Sequence, residues 1–290
     1  MKRMVLLLLM VLGCDCVHAV DLPRGTTFIG LKPDGHWQAY VVGESQVSAI
    51  EALSNIQEFT YSKSLNRHFY IGANEKLYEY RLDKKAANQI LAGEKDRITQ
   101  ITALQLAPNR DGFYGVLLQG GRSKSTRLVF YNALTGKVEP LVDSRISAFE
   151  PQVQSGRIVF AGLVCVEACG GPVQEIWLKD LDIDNARQMT LLHGFVKQPF
   201  WDGRSRQIYF SYPKQRQAGI WKMGEDGLDL VQVTQGDHWD TSPQTAPDGS
   251  LYFLRQQGGE AAIYCLKDGV ENPVVIAGIS SVRDLEIGRE

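Results

Sequence analysis

Four histidines lie beyond the N-terminal leader, His36, His68, His193 and His238, and by type they are the side chains that could bind a metal or carry a proton at neutral pH. Their spacing suits neither task. They fall singly, with no pair at metal-ligand spacing, so each reads as a turn or surface residue. Glu150, Asp240 and Asp284, with Arg145 or His238, form the set that an acid–base lyase or hydrolase of sugar polymers would use around a divalent ion, although no spacing singles them out. No Gly-x-Ser-x-Gly elbow, Walker loop, zincin helix or dinucleotide fingerprint occurs in a usable context. The expectation is a protein without cofactor or metal, and a binder more than an enzyme.

Thiol chemistry gives a clearer reading. Cys165 and Cys169 stand four apart in Cys-Val-Glu-Ala-Cys-Gly-Gly-Pro, a glycine-rich connection that brings two sulfurs within bonding reach, so a local disulfide is expected in an exported chain. A zinc site needs more ligands than this pair. Cys265, inside Ile-Tyr-Cys-Leu, reads as a small buried thiol in a strand.

Export is read at the N-terminus, where Lys2 and Arg3 precede an apolar run from Met4 to Gly13 and then small and polar residues. The run is about half a membrane span, and no later segment approaches the roughly 20 apolar residues a crossing helix needs. Two processing routes compete. Val17-His18-Ala19 suits a signal peptidase and gives a leader over 1–19; Val11-Leu12-Gly13-Cys14 resembles a lipoprotein box, with a leader over 1–13 and a lipid on Cys14. Both place the mature chain in the periplasm, the second as a lipid-anchored form.

The residues from 20 to 290 repeat. A β-type doublet recurs at Phe69-Tyr70, Phe113-Tyr114, Ile158-Val159, Ile208-Tyr209 and Leu251-Tyr252, and a second follows each by a short hop, at Leu77-Tyr78, Leu128-Val129, Ile176-Trp177, Ile220-Trp221 and Ile263-Tyr264. The period is about 45 residues, that of four-stranded units stacked side by side. Within Lys197 to Thr234 four runs of β-branched and aromatic residues are separated by turn residues, with Asp226-Gly227 between the third and fourth. The next unit repeats this with Pro247-Asp248-Gly249 and Asp268-Gly269.

Such units form a radial propeller. Five full periods run between about Ile56 and Gly278. Runs at Thr27–Gly30, Trp37–Val42 and Val47–Ile50, plus Val282–Ile287 at the other end, supply three strands and one; Pro33-Asp34-Gly35 marks one of two turns in that unit. The expected fold is all-β: one six-bladed propeller of four-stranded antiparallel blades, closed by pairing of the chain ends so that no open sheet edge remains. Lys+Arg at 31 against Asp+Glu at 33 gives a formal charge of -2, without the basic excess that binding nucleic acid requires.

The units resemble a known repeat. Pro199-Phe200-Trp201-Asp202-Gly203, Ile208-Tyr209-Phe210-Ser211, Ile220-Trp221-Lys222-Met223, Asp226-Gly227 and Val233-Thr234 are similar to the propeller repeat of the TolB family, and Ser242-Pro243 with Pro247-Asp248-Gly249 matches it too. The likeness is good in the last two full units, partial in those starting at Thr102 and Phe149, and faint in the one starting at Phe59. It implies a six-bladed propeller of the bacterial envelope. TolB carries an α/β domain before its propeller, and only about seven residues separate Ala19 from the first strand here, so a role in the Tol system is not implied.

Propeller function concentrates where the connections between units converge around the central channel. These carry Arg97, Arg145, Phe149, Glu150, Phe195, Lys197, His238, Trp239, Asp240, Arg283 and Asp284. Asp237-His238-Trp239-Asp240 is the densest group, and Trp239 reads either as an interface anchor or as a wedge between blades. The leading expectation is a monomeric interaction module for an envelope protein, its binding face drawn from His238, Trp239, Asp240, Arg145, Glu150, Lys197 and Asp284. A small-ligand or peptide binder in the channel, and a polysaccharide lyase or hydrolase with a channel metal, are the alternatives. Convergence of three carboxylates at metal-binding distance would favour the enzyme, and a broad apolar rim the module.

Overall fold

The computed structural model describes residues 22–90, 98–119, 125–143, 146–214 and 217–288, and among these every regular element is a strand. The leader with Cys14, and the loop residues Arg97 and Arg145, lie outside the described residues.

The first unit contributes β1 (Thr27–Leu31), β2 (Trp37–Val42) and β3 (Val47–Ser54). Next come β4 (Ile56–Ser62), β5 (Arg67–Gly72), β6 (Leu77–Arg81) and β7 (Ala86–Gln89), then β8 (Ile98–Leu106), β9 (Gly112–Gln119), β10 (Ser125–Asn132) and β11 (Val138–Pro140). The fourth unit holds β12 (Ser147–Gln154), β13 (Arg157–Cys165), β14 (Val173–Asp180) and β15 (Ala186–Gln188), and the fifth β16 (Lys197–Asp202), β17 (Gln207–Lys214), β18 (Gln217–Gly224) and β19 (Val231–Gln232). Last are β20 (Trp239–Thr245), β21 (Leu251–Gln257), β22 (Glu260–Lys267) and β23 (Val270–Val274), followed by a lone β24 (Ser281–Glu286).

Hydrogen bonding gives four separate four-stranded sheets and one of eight strands, where six separate blades were expected. The fusion has a local cause. The Ala218 N–H donates to the His238 carbonyl at 3.0 Å, which pairs Ala218 with Trp239 in parallel and joins β18 to β20. Otherwise β16 to β19 and β20 to β23 are each antiparallel, like the other units. The sheet order β24-β1-β2-β3 sets the last strand beside the first, with Gly30 opposite Val282 and Leu31 opposite Ser281.

The turns follow the residues that favour them. Pro33-Asp34-Gly35 joins β1 to β2, Asp34 accepting the His36 N–H at 3.1 Å. In Asp248-Gly249 the aspartate accepts the Ser250 N–H at 3.0 Å, and Gly249 takes a φ of 87° that only glycine adopts without strain. Lys267, 2.8 Å away, is the chief cause that draws the Asp248 carboxyl down to about 2.

Alternation along the strands buries one aromatic after another: Phe28, Phe69, Phe113, Phe130, Phe160, Phe200, Phe210 and Phe253 are fully covered. Each apolar cluster among the described residues straddles neighbouring units. Phe69 and Phe113, with ring centres 5.0 Å apart, join β4–β7 to β8–β11. Ile29, Leu53 and Phe59 join the first unit to β4, and Val282, Leu285 and Ile287 pack with Tyr252, Leu254 and Ile263 of β21 and β22. Followed round, the clusters run in a cycle, the arrangement in which each sheet covers its faces with its neighbours. Contact is close enough that β13 needs Gly162, where a Cβ would stand 2.5 Å from the Trp177 indole.

Cys165 and Cys169 form a disulfide at the tip of the β13–β14 hairpin. Cys265 is a free thiol in a strand, as expected, but half-buried rather than buried. His68 is buried against Phe59 and Tyr61 rather than on the surface, and burial pulls its imidazole down to about 4.

Candidate functional site

The innermost strand of each unit is broken by a β-bulge at the same depth. Register slips between Ile56 and Glu58 in β4, Thr102 and Gln105 in β8, Phe149 and Gln152 in β12, Lys197 and Phe200 in β16, and Thr241 and Gln244 in β20. The β1–β24 pairing slips between Thr27 and Ile29, beside Asp284. At five of these bulges a non-glycine residue takes the left-handed conformation: Ala103, Glu150, Gln198, Ser242 and Asp284, with φ between 47° and 53°. Bulges of this kind re-aim side chains. Proline follows three of them, at Pro151, Pro199 and Pro243, where the missing N–H costs no ladder bond because the bulge has already broken it.

The re-aimed side chains line an axial cavity of about 310 Å³. Backbone N–H groups near the bulges take acceptors from side chains of the preceding unit. Glu58 Oε2 accepts the Leu104 N–H at 3.3 Å, Glu150 Oε2 the Gln198 N–H at 2.8 Å, Gln198 Oε1 the Ser242 N–H at 3.0 Å, and Asp284 Oδ2 the Phe59 N–H at 2.9 Å. Gln152 does the same for Trp201 at 3.0 Å and Gln244 for Ile287 at 2.9 Å. Buried donors left by the bulges are thereby satisfied, and the units are tied to one another at the channel.

Three carboxyl groups share this space, and among the described residues no Lys, Arg or His lines it. Burial pushes the Glu58 and Glu150 carboxyls up, partly offset by the N–H donors each holds. Asp284 is pushed well above the usual carboxylate range, first by burial and then by Glu58 facing it. Arg283 stands behind the pair, its guanidinium 4.0 Å from the Trp37 ring centre and one amino group donating to the Ile56 carbonyl at 2.8 Å. Lys197 faces Glu150, its ammonium 4.8 Å from the Phe195 ring centre. Among the described residues no three His, Cys, Asp or Glu stand close enough together to hold a metal ion.

Of the loop-face residues expected from sequence, Glu150 and Asp284 line the cavity and Lys197 stands at its edge. Trp239, half-buried at the start of β20, belongs to none of the apolar clusters, and His238 is half-buried beside it. Asp240 corrects the expectation. It is 1% exposed, and both its oxygens accept from Arg255, Oδ1 from Nε at 2.7 Å and Oδ2 from an amino group at 2.8 Å; Glu271 meets that same amino nitrogen at 2.8 Å. Alternation along β20 turns Asp240 away from the channel face and opposite Arg255 on β21. The sequence reading missed Glu58, Gln198 and Gln244. For Gln198 alone a signal was available, the residue before the inner-strand proline, which recurs as Glu150, Gln198 and Ser242.

A second cavity, of about 610 Å³, lies between the first unit and β20–β23 and is lined by Leu22, Tyr252, Cys265, Lys267 and Val274, among others. Burial raises its thiol, Cys265, and Lys267 at its wall is engaged by Asp248 at 2.8 Å.

No protein-family model and no curated protein matches the chain. Solved structures do. The putative TolB from Agrobacterium tumefaciens superimposes at a TM-score of 0.63 with 12% identity, over 90% of this chain and 91% of that one. TolB from Acinetobacter baumannii gives 0.64 and 13%, over 91% and 67%. An oligogalacturonate lyase in complex with manganese gives 0.56 and 14%, over 87% and 74%. The resemblance to TolB read from the repeat thus holds in the fold: a propeller-like ring of four-stranded antiparallel blades.

Proposed function

We propose that the chain is an exported protein of the bacterial envelope that grips a protein partner at the axial channel and its mouth. In this reading residues 20–290 form one monomeric domain of six blades, with the eight-stranded sheet counting as two and the β24–β1 pairing closing the ring. A leader over 1–19 sends the chain to the periplasm, or a leader over 1–13 leaves it there with a lipid on Cys14. Among the described residues no helix is long and apolar enough to cross a membrane.

The observation that carries the reading is the ring of bulges. Left-handed non-glycine residues cost of order 1–3 kcal/mol each and persist where the surroundings enforce them, commonly at binding sites. Here five of them line one cavity, and four, Glu150, Gln198, Ser242 and Asp284, bring acceptor side chains to it. Half-buried Trp239, with Lys197 and Glu150, would extend the contact from channel to mouth. A uronate substrate, which the lyase among the similar structures would suggest, is anionic and would meet Glu58, Glu150 and Asp284, with no Lys, Arg or His among the described residues of the cavity wall.

Trp239→Ala tests the reading. The expected result is at least a thirtyfold weaker partner affinity, the equivalent of about 2 kcal/mol for an interface aromatic, with little change in melting temperature. A large loss of melting temperature would mark Trp239 as a wedge between blades and remove it from the binding face.

A further inference from the structure

Glu58 and Asp284 reach the cavity from different strands, β4 and β24, and each is held by backbone N–H donors from the strand beside it. Among the described residues the one guanidinium near both is Arg283, which lies on Trp37 and bonds the Ile56 carbonyl, and neither carboxyl makes an ion pair. Two carboxylates in a confined space, with one cation held aside, favour a state in which one of them keeps its proton. Glu286 adds a further negative charge facing Asp284, and the third cavity carboxyl, Glu150, has Lys197 opposite it.

We infer that Glu58 and Asp284 share one proton and that filling the cavity is linked to it, because an occupant that displaces cavity water makes the doubly ionised pair costlier still. This regulation rests on the channel being the partner site. Binding then takes up a proton and strengthens as pH falls through the range in which the pair titrates, by at most about tenfold per pH unit for one linked proton. The burial that raises both carboxyls acts in the same sense.

Carbon-13 titration of side-chain carboxyls in the full chain tests the pair without any partner. Asp284 is expected to titrate above the ordinary carboxylate range, and Glu58→Gln to lower its midpoint; should that variant fail to fold, Asp284→Asn is read through Glu58 instead. An ordinary midpoint for Asp284, or one unmoved by the loss of Glu58, overturns the shared proton while leaving the partner reading intact. For the link to binding, the envelope protein recovered by crosslinking is titrated calorimetrically in two buffers of different ionisation enthalpy. Net proton uptake that disappears in Asp284→Asn supports the link, and equal heats after buffer correction, with no uptake in the wild type, overturn it.

Discussion

Removing residues 281–290 is expected to abolish most of the stability of the chain. The strand lost, β24, buries Val282 and Leu285, and Ile287 follows it into the same cluster. At roughly 1.5–3 kcal/mol for each large apolar side chain, these three account for about 5–9 kcal/mol, comparable with the whole stability of an ordinary domain. The polar losses add to this. Phe59 N–H loses Asp284, the Ile56 carbonyl loses Arg283, Ala261 N–H loses the Ser281 hydroxyl, and Gln244 loses its bonds to Leu285 and Ile287. Strand β1 becomes an open edge prone to pairing with other chains. Urea unfolding of the truncated chain should show a collapsed or absent cooperative transition, and a midpoint equal to that of the intact chain would contradict ring closure through β24.

Asp240→Ala is the substitution expected to cost most among the residues first assigned to the binding face. It leaves Arg255, 5% exposed, with Glu271 alone to balance a buried guanidinium. Breaking a buried pair on one side costs roughly 3–5 kcal/mol, because the remaining charge stays desolvated. The guanidinium also lies 4.6 Å from the Tyr264 ring centre, so it has no easy path to water. Urea midpoints of Asp240→Ala and the wild type measure this directly. A change under about 1 kcal/mol accompanied by lost partner binding would return Asp240 to the binding face.

Much of the fold was legible because the strands advertise themselves by alternation and the turns by Asp-Gly. Asp226-Gly227, Asp248-Gly249 and Asp268-Gly269 sit at the turns expected of them, and Val282–Ile287 covers the strand that lies beside β1. The binding face was less legible, for two reasons. A bulge adds one residue to a strand without disturbing the hydrophobic pattern enough to show, so the re-aiming of Glu150 and Gln198 into one cavity is invisible without the pairing register. The fate of a carboxylate also depends on its cross-strand neighbour: Asp240 lies 15 positions before Arg255, and only the β20–β21 register sets them opposite. Glu58 escaped notice because its unit keeps little of the repeat beyond alternation. The fusion of β18 to β20 likewise rests on a single residue pair, Ala218 with Trp239, that no residue type announces.

The claim that the channel grips an envelope protein is tested most directly by placing a photo-crosslinking side chain at Gln57, which lines the cavity, and at Leu134, 63% exposed in the turn between β10 and β11. Crosslinking in a bacterial envelope fraction should yield one discrete adduct from position 57 that is absent from position 134 and lost when Trp239→Ala is added. No adduct at position 57, or the same adducts from both positions, would contradict a partner held at the channel.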